Sequence, residues 1–133
     1  MNDKSAEGTR MLKYFHSIAA LLFLTMAVIQ LNDPDPLYWV AAYLAVAIVS
    51  GARYFGNSLE VLSKIALGMV LAGLLISVPG VIDYFAAEDY ASIYGRMAVE
   101  KPYIESAREF GGLSIAVLYL TLSEMSKSAS TEA

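Results

Sequence analysis

A run of 19 residues without a formal charge, Tyr14–Asn32, constrains this chain more than any other feature. As a helix rising 1.5 Å per residue it is about 28 Å long, enough to cross the roughly 30 Å hydrocarbon core of a bilayer. Lys4, Arg10 and Lys13 precede it, as in a secretory signal, but the run is longer than a signal core and lacks a small-residue cleavage pattern at its end. It predicts a retained membrane span.

Three further uncharged stretches follow, and each predicts another span. Residues 36–52 and 65–82 contain 17 and 18 residues without a charge, close to the length that a bilayer needs. The stretch 110–123 has only 14 residues, so we expect its helix to begin earlier, at Pro102, since proline is favoured at the first helical position. The four spans are expected at residues 12–32, 36–54, 63–83 and 102–124.

The fold expected from these spans is all-α, an integral membrane four-helix antiparallel bundle at residues 11–124. Between the third and fourth spans, apolar residues at helical spacing predict a short interfacial helix at 86–98. The polar tails at 1–10 and 125–133 are expected to fray. Within the third span, Pro79-Gly80 is expected to break or bend the helix.

Composition supports a membrane location and excludes several other classes of protein. Of the 133 residues, 57% are hydrophobic and 17% are charged, against about 45–50% and 25% in average soluble domains. The net charge of −4 provides no basic field for nucleic acid, and the absence of cysteine excludes thiolate catalysis and Cys-ligated metals. The single histidine, His16, has no nucleophile arranged beside it. We therefore identify no catalytic residue and favour a protein that is not an enzyme.

Lysine and arginine are distributed unequally between the two predicted sides of the membrane. Six lie at the inner ends of the spans: Lys4, Arg10, Lys13, Arg53, Lys64 and Lys127. Three lie on the outer side: Arg96, Lys101 and Arg108. Because basic residues concentrate on the cytoplasmic side, both termini are expected in the cytoplasm, and the expected location is the bacterial inner (plasma) membrane.

A tight turn is expected between the first two spans, at Asn32-Asp33-Pro34-Asp35-Pro36. Asn and Asp side chains end helices by bonding to their own backbone, and each proline disfavours helix in the residue before it. Pro36 can then begin the second helix. The turn places several polar side chains at the outer side of the bundle.

Polar residues from this turn and from the fourth helix form what we call the outer polar cluster: Gln30, Asn32, Asp33, Asp35, Glu105, Arg108 and Glu109. Glu105, Arg108 and Glu109 share one helix face, because they are three and four residues apart. An ion pair from Arg108 to Asp33, Asp35 or Glu105 would hold the fourth helix to the first hairpin.

The carboxylates of this cluster allow a second interpretation. Asp33, Asp35, Glu105 and Glu109 could bind a divalent cation through oxygen ligands, although their spacing is not that of an EF-hand. No other cofactor is indicated. One hypothesis is a structural or accessory membrane protein that contacts the lipid bilayer and a membrane-protein partner or a second copy of itself. The alternative is a protein that binds or transports a divalent cation or a small polar ligand.

Two segments resemble the hallmark motifs of the transmembrane protein 220 family. The first reads Gln30-x-Asn32-Asp33-Pro34-Asp35-Pro36-x-x-Trp39, with Tyr43 one turn further on. The second reads Glu105-x-x-Arg108-Glu109-x-Gly111-Gly112-Leu113. The resemblance covers the chain from the first span to the fourth, and it implies a small integral membrane protein with several spans, of a kind found in bacteria and animals. It implies no particular activity.

Overall fold

The computed structural model describes residues 3–33, 35–87 and 102–132, which are almost entirely helical. The helices are α1 (Asp3–Ile29), α2 (Pro36–Tyr54), α3 (Glu60–Ala87) and α4 (Pro102–Glu132), and a short 3-10 turn, Gln30–Asn32, follows α1. The described residues contain no strand, so the expected all-α class is confirmed. The predicted interfacial helix at 86–98 lies outside the described residues from residue 88 onward.

The prolines fit the helices in the way that their chemistry requires. α2 begins at Pro36 and α4 at Pro102, as the sequence predicts, because a proline at the first position leaves no N–H group unpaired. α3 continues through Pro79, so the helix is not broken there, and a bend at this position stays a prediction. Loss of one backbone donor is tolerated in a long helix whose other hydrogen bonds persist.

Both polar ends of the chain continue the neighbouring helices where they are described. α1 begins at Asp3 and α4 extends to Glu132, so the ends that were expected to fray are helical where they are described. Alanine, glutamate and lysine favour helix in these ends, and the carboxylate of Asp3 lies in the first turn, where it complements the helix dipole. The helices therefore extend beyond the predicted spans.

The first compact unit contains α1, α2 and the first two turns of α3. α1 packs against α2, and the ring of Phe23 stacks on that of Tyr43 with centroids 6.5 Å apart. The ammonium group of Lys13 lies 5.7 Å from the centroid of the Tyr54 ring. Lys13, near the start of α1, lies beside Tyr54 at the end of α2, and Phe23, further along α1, lies beside Tyr43, further back in α2. The two helices are therefore antiparallel.

α2 ends in a Schellman motif. The N–H of Asn57 donates to the carbonyl oxygen of Ala52 at 2.9 Å, and the N–H of Gly56 donates to that of Arg53 at 3.0 Å. Gly56 has a φ of 85°, a left-handed conformation that glycine adopts without a steric penalty. The Arg53 guanidinium then donates from Nη2 to Ser63 Oγ at 2.8 Å, which joins the end of α2 to the start of α3.

The second compact unit contains the segment Asn32–Asp35, the part of α3 from Leu67 onward, and α4. α3 and α4 approach each other closely at Gly80 and Ser106. A Cβ atom added to Gly80 would overlap with the side chain of Ser106. The absence of a side chain at Gly80 therefore lets the two helices pack at this distance.

Many large apolar side chains on α1, α2 and α3 are exposed, among them Ile18, Leu21, Ile48, Leu75 and Ile76. By length and composition, these three helices of the described chain are able to cross a membrane. Lipid is the solvent that such faces need, since exposed apolar surface is unfavourable in water. α4 does not reach the same apolar length, and the span at 102–124 stays a prediction.

Candidate functional site

Three residues of the outer polar cluster come together in the second unit: Asp33, Glu105 and Glu109. Asp33 lies in the turn after α1, and the two glutamates lie in the first turns of α4. The side chains of Asp33 and Glu109 lie within reach of a hydrogen bond, and the negative charge of Asp33 acts on both glutamates. The structure thus unites residues that are distant in the sequence in one group of carboxyls.

Asp33 also shapes the turn in which it lies. Its Oδ1 atom accepts a hydrogen bond from the backbone N–H of Asp35 at 2.9 Å. This is the local bond to backbone that the sequence predicts for an Asp in this segment. The other oxygen of Asp33, Oδ2, is buried and has no hydrogen-bond partner. The Asp33 side chain therefore has two structural contacts, one with its own turn and one with α4.

Glu109 is a buried carboxyl, with 7% of its surface exposed. Two carboxyl groups form a hydrogen bond with each other only when one of them carries a proton, because an ionised carboxylate only accepts. Burial, then the hydrogen bond to Asp33 and the negative charges of Asp33 and Glu105, raise the pKa of Glu109 to about 8. With a pKa in this range the neutral form of Glu109 is favoured at neutral pH, and it can donate a hydrogen bond to Asp33.

Glu105 and Arg108 lie beside this pair and are half-buried. Burial raises the pKa of Glu105, the negative charge of Asp33 adds to the effect, and the positive charge of Arg108 opposes it. Glu105 is one of the three partners that the sequence proposes for Arg108. Its Oε1 atom is buried and has no hydrogen-bond partner.

The other predicted members of the cluster are placed differently. Gln30 belongs to the first unit, where its Oε1 atom is buried and has no hydrogen-bond partner. Asn32 and Asp35 are exposed. In the part of the chain that the structure describes, no group of three or more His, Asp or Glu side chains is arranged to hold a metal ion. The metal candidates Asp33, Asp35, Glu105 and Glu109 do not form a ready ligand set there.

The sequence does not predict contact between two carboxyls. The ion pair that it proposes between Arg108 and an acidic residue stays a prediction. One signal for the carboxyl contact was available. Glu109 immediately precedes the uncharged stretch 110–123, so it is the acidic residue nearest to the apolar part of α4. A carboxyl at such a boundary loses water and favours its neutral form, which can then donate to a second carboxyl.

The melting temperature of the protein in detergent is expected to fall as the pH rises from 5 to 9. The pKa of Glu109 is raised from 4.5 to about 8, so the unfolded chain releases this proton first. The stabilisation that the Glu109 proton gives to the folded state is complete below pH 4.5 and is lost as the pH rises through about 8. Melting curves across this pH range measure the effect. The Glu109→Gln variant has no proton to lose, and a slope equal to that of the wild type would contradict the assignment.

This chain matches a known family of membrane proteins. The model of the family described as "Transmembrane family 220, helix" matches residues 22–125. No curated protein and no solved structure matches the chain. The matched range includes all of α2 and α3, the turn that carries Asp33, and the part of α4 that carries Glu105, Arg108 and Glu109.

Proposed function

The chain belongs to transmembrane family 220, and on that premise we propose that it is a small multi-pass membrane protein with a structural or accessory role and no enzymatic activity. In this role the residues Asp33, Glu105, Arg108 and Glu109 act as a lock, which we call the carboxyl lock. The observation that supports it most directly is the proximity of the half-buried Asp33 to the buried Glu109, whose carboxyls are placed to share a hydrogen bond.

The membrane arrangement that we propose has four antiparallel spans. α1, α2 and α3 have the required length and apolar composition. In α4 the uncharged stretch 110–123 would lie in the hydrocarbon, and the charged turns Pro102–Glu109 would lie at the boundary, where charged groups retain contact with water. The exposed apolar faces would contact the bilayer, a membrane-protein partner or a second copy of the chain.

The excess of lysine and arginine on one predicted side supports an orientation with both termini in the cytoplasm. For a bacterial protein, this corresponds to the inner membrane. The carboxyl lock would then lie at the outer end of the bundle.

The carboxyl lock acts by fixing the turn after α1 to the start of α4. The Asp33 side chain bonds to the backbone of its own turn and to Glu109, so the turn and the helix constrain each other. Hydrogen bonds are stronger in buried places, because no water competes for the donor and the acceptor. A lock of this kind needs no ligand.

A divalent cation is the second candidate, because two oxygens in the cluster have no partner. Asp33 Oδ2 and Glu105 Oε1 are buried without a hydrogen bond, and each is an oxygen ligand of the type that Ca²⁺ and Mg²⁺ prefer. A cation or a small polar ligand bound there would convert the lock into a binding or transport site.

Two variants of Asp33 separate these functions by thermal melting in detergent. Asp33→Asn keeps an oxygen for the N–H of Asp35 and an amide for Glu109, so it should melt close to the wild type. Asp33→Ala loses both bonds and should melt on the order of 5 °C lower, since each lost hydrogen bond contributes about 1 kcal/mol. If the cluster acts as a lock, neither EDTA nor added Ca²⁺, Mg²⁺ or Mn²⁺ should change the melting temperature of the wild type or of either variant.

A cation site gives a different pattern in the same experiment. One of these ions would raise the melting temperature of the wild type, and the Asp33→Asn/Asp35→Asn variant would lose that rise, because the two charges that bind the cation are gone. This outcome would replace the lock by cation binding. Equal melting of Asp33→Ala and the wild type under every condition, with and without added cations, would contradict both functions.

A further inference from the structure

The first unit contains a cleft with a volume of about 660 Å³. It lies between the first half of α1 and the last turn of α2. Lys13 and His16 of α1 and Arg53 and Tyr54 of α2 line it. None of the lining residues belongs to the outer polar cluster. Its volume lies within the range of about 300–1,000 Å³ that is typical of small-molecule sites.

The cleft has a positive electrostatic character. Lys13 and Arg53 both line it, and the Arg53 charge acts on the neighbouring His16 imidazole. Among the described residues that form its wall there is no carboxylate. Two cationic side chains that line one cleft both attract an anion placed between them. The ligand that fits this cleft is therefore an anion.

The two cations are held in place by contacts within the first unit. Arg53 donates to Ser63 Oγ at 2.8 Å, which fixes its guanidinium at the wall of the cleft. The Lys13 ammonium lies 5.7 Å from the centroid of the Tyr54 ring, within the range of a cation–π contact. The planar guanidinium matches the paired oxygens of a phosphate, and the lysine adds a point charge. This combination favours phosphate over a simple halide.

The carbonyl groups at the end of α2 do not oppose an anion as strongly as an open helix end would. Those of Ala52 and Arg53 already accept hydrogen bonds from Asn57 and Gly56 in the Schellman motif. Free carbonyls at a helix end carry negative partial charge, which would repel an anion. Here that charge is partly neutralised by the two N–H groups.

The cleft also lies at the end of a segment able to cross a membrane. The candidate span Pro36–Tyr54 ends at its wall. Phe55, another lining residue, is 83% exposed. Aromatic side chains favour the boundary between membrane and water, which is also the depth of the phosphate groups of phospholipids. Basic pockets at this depth bind anionic headgroups in other membrane proteins.

We propose that this cleft is a binding site for the phosphate group of an anionic phosphoester, with Lys13 and Arg53 as the charged ligands. The group belongs either to a phospholipid headgroup or to a soluble phosphate. Both sources present the same oxygens to the two cations, and they differ in whether acyl chains accompany the phosphate.

The test uses the full chain in detergent micelles and two probes, phosphatidylglycerol mixed into the micelles and inorganic phosphate in the buffer. Binding is measured by native mass spectrometry and by the rise in melting temperature. Lys13→Gln should weaken phosphate binding about five- to tenfold, since one lysine near a lipid surface contributes about 1 kcal/mol. Lys4→Gln removes the same charge from the same helix outside the cleft, and it should bind as the wild type does. Lys13→Arg keeps the charge and should retain most of the binding.

Each outcome decides the proposal. Binding of phosphatidylglycerol that Lys13→Gln weakens, with inorganic phosphate inert, identifies a lipid headgroup as the ligand. Weakened binding of inorganic phosphate itself identifies a soluble phosphate. Three results would overturn the proposal: no binding of either probe, equal binding of phosphatidylglycerol and zwitterionic phosphatidylcholine, or equal effects of Lys13→Gln and Lys4→Gln.

Discussion

Glu109→Ala is expected to lower the melting temperature in detergent by about 5–10 °C, whereas Glu109→Gln should change it little at neutral pH. Alanine removes the proton donor of the carboxyl lock and leaves the Asp33 carboxylate without that partner. An unsatisfied buried polar group costs about 1–3 kcal/mol. Glutamine has nearly the same shape as glutamate, and its amide donates to the Asp33 carboxylate without titrating. The contrast between the two variants isolates the hydrogen bond from the loss of side-chain volume.

Two controls make this result specific. Glu7→Ala removes an exposed acidic residue of α1, and we expect it to change the free energy of unfolding by no more than about 0.5 kcal/mol. The double variant Asp33→Ala/Glu109→Ala should melt near the lower of the two single variants, because both substitutions remove the same bond. Fully additive effects would show that the two side chains act independently and that the lock is not a unit.

The sequence predicts the helices well because charge and length are local properties. Uncharged stretches such as Tyr14–Asn32 locate the apolar helices directly, and Pro36 and Pro102 mark their starts through proline chemistry alone. The helix ends are less predictable. α1 begins at Asp3, well before its apolar part, because polar residues with high helix propensity extend a helix that the membrane segment already nucleates.

The candidate site was predictable only in part, since it depends on distant contacts. The sequence indicates that Asp33 and Glu109 lie on the same side of the bundle, but opposite charge suggests Arg108 as the partner. Burial adds a second kind of contact, because a desolvated carboxyl keeps its proton and can bond to another carboxyl. The basic cleft could not be predicted from the sequence either, because it also depends on residues that are distant in the chain. Lys13 and Arg53 approach each other only once α1 and α2 pack antiparallel.

Gly80→Ala is expected to lower the melting temperature by several degrees, although alanine favours a helix more than glycine does. The added Cβ would overlap with the Ser106 side chain, including its own Cβ, which is attached rigidly to α4. α4 must therefore shift. Overpacking of this kind costs about 1–3 kcal/mol, and the gain in helix propensity of about 1 kcal/mol offsets only part of it. Thermal melting of the purified variant measures the balance.

The same substitution elsewhere on α3 should have the opposite sign or no effect. At Gly68 an added Cβ meets nothing within 4 Å, so Gly68→Ala gains helix propensity without a clash. Within the close contact, Ser106→Gly should rescue Gly80→Ala, because it returns the space that the new methyl group occupies. The double variant should then melt above Gly80→Ala alone, which shows coupling between the two positions. If Gly80→Ala and Gly68→Ala change the melting temperature equally, α3 and α4 do not pack through Gly80.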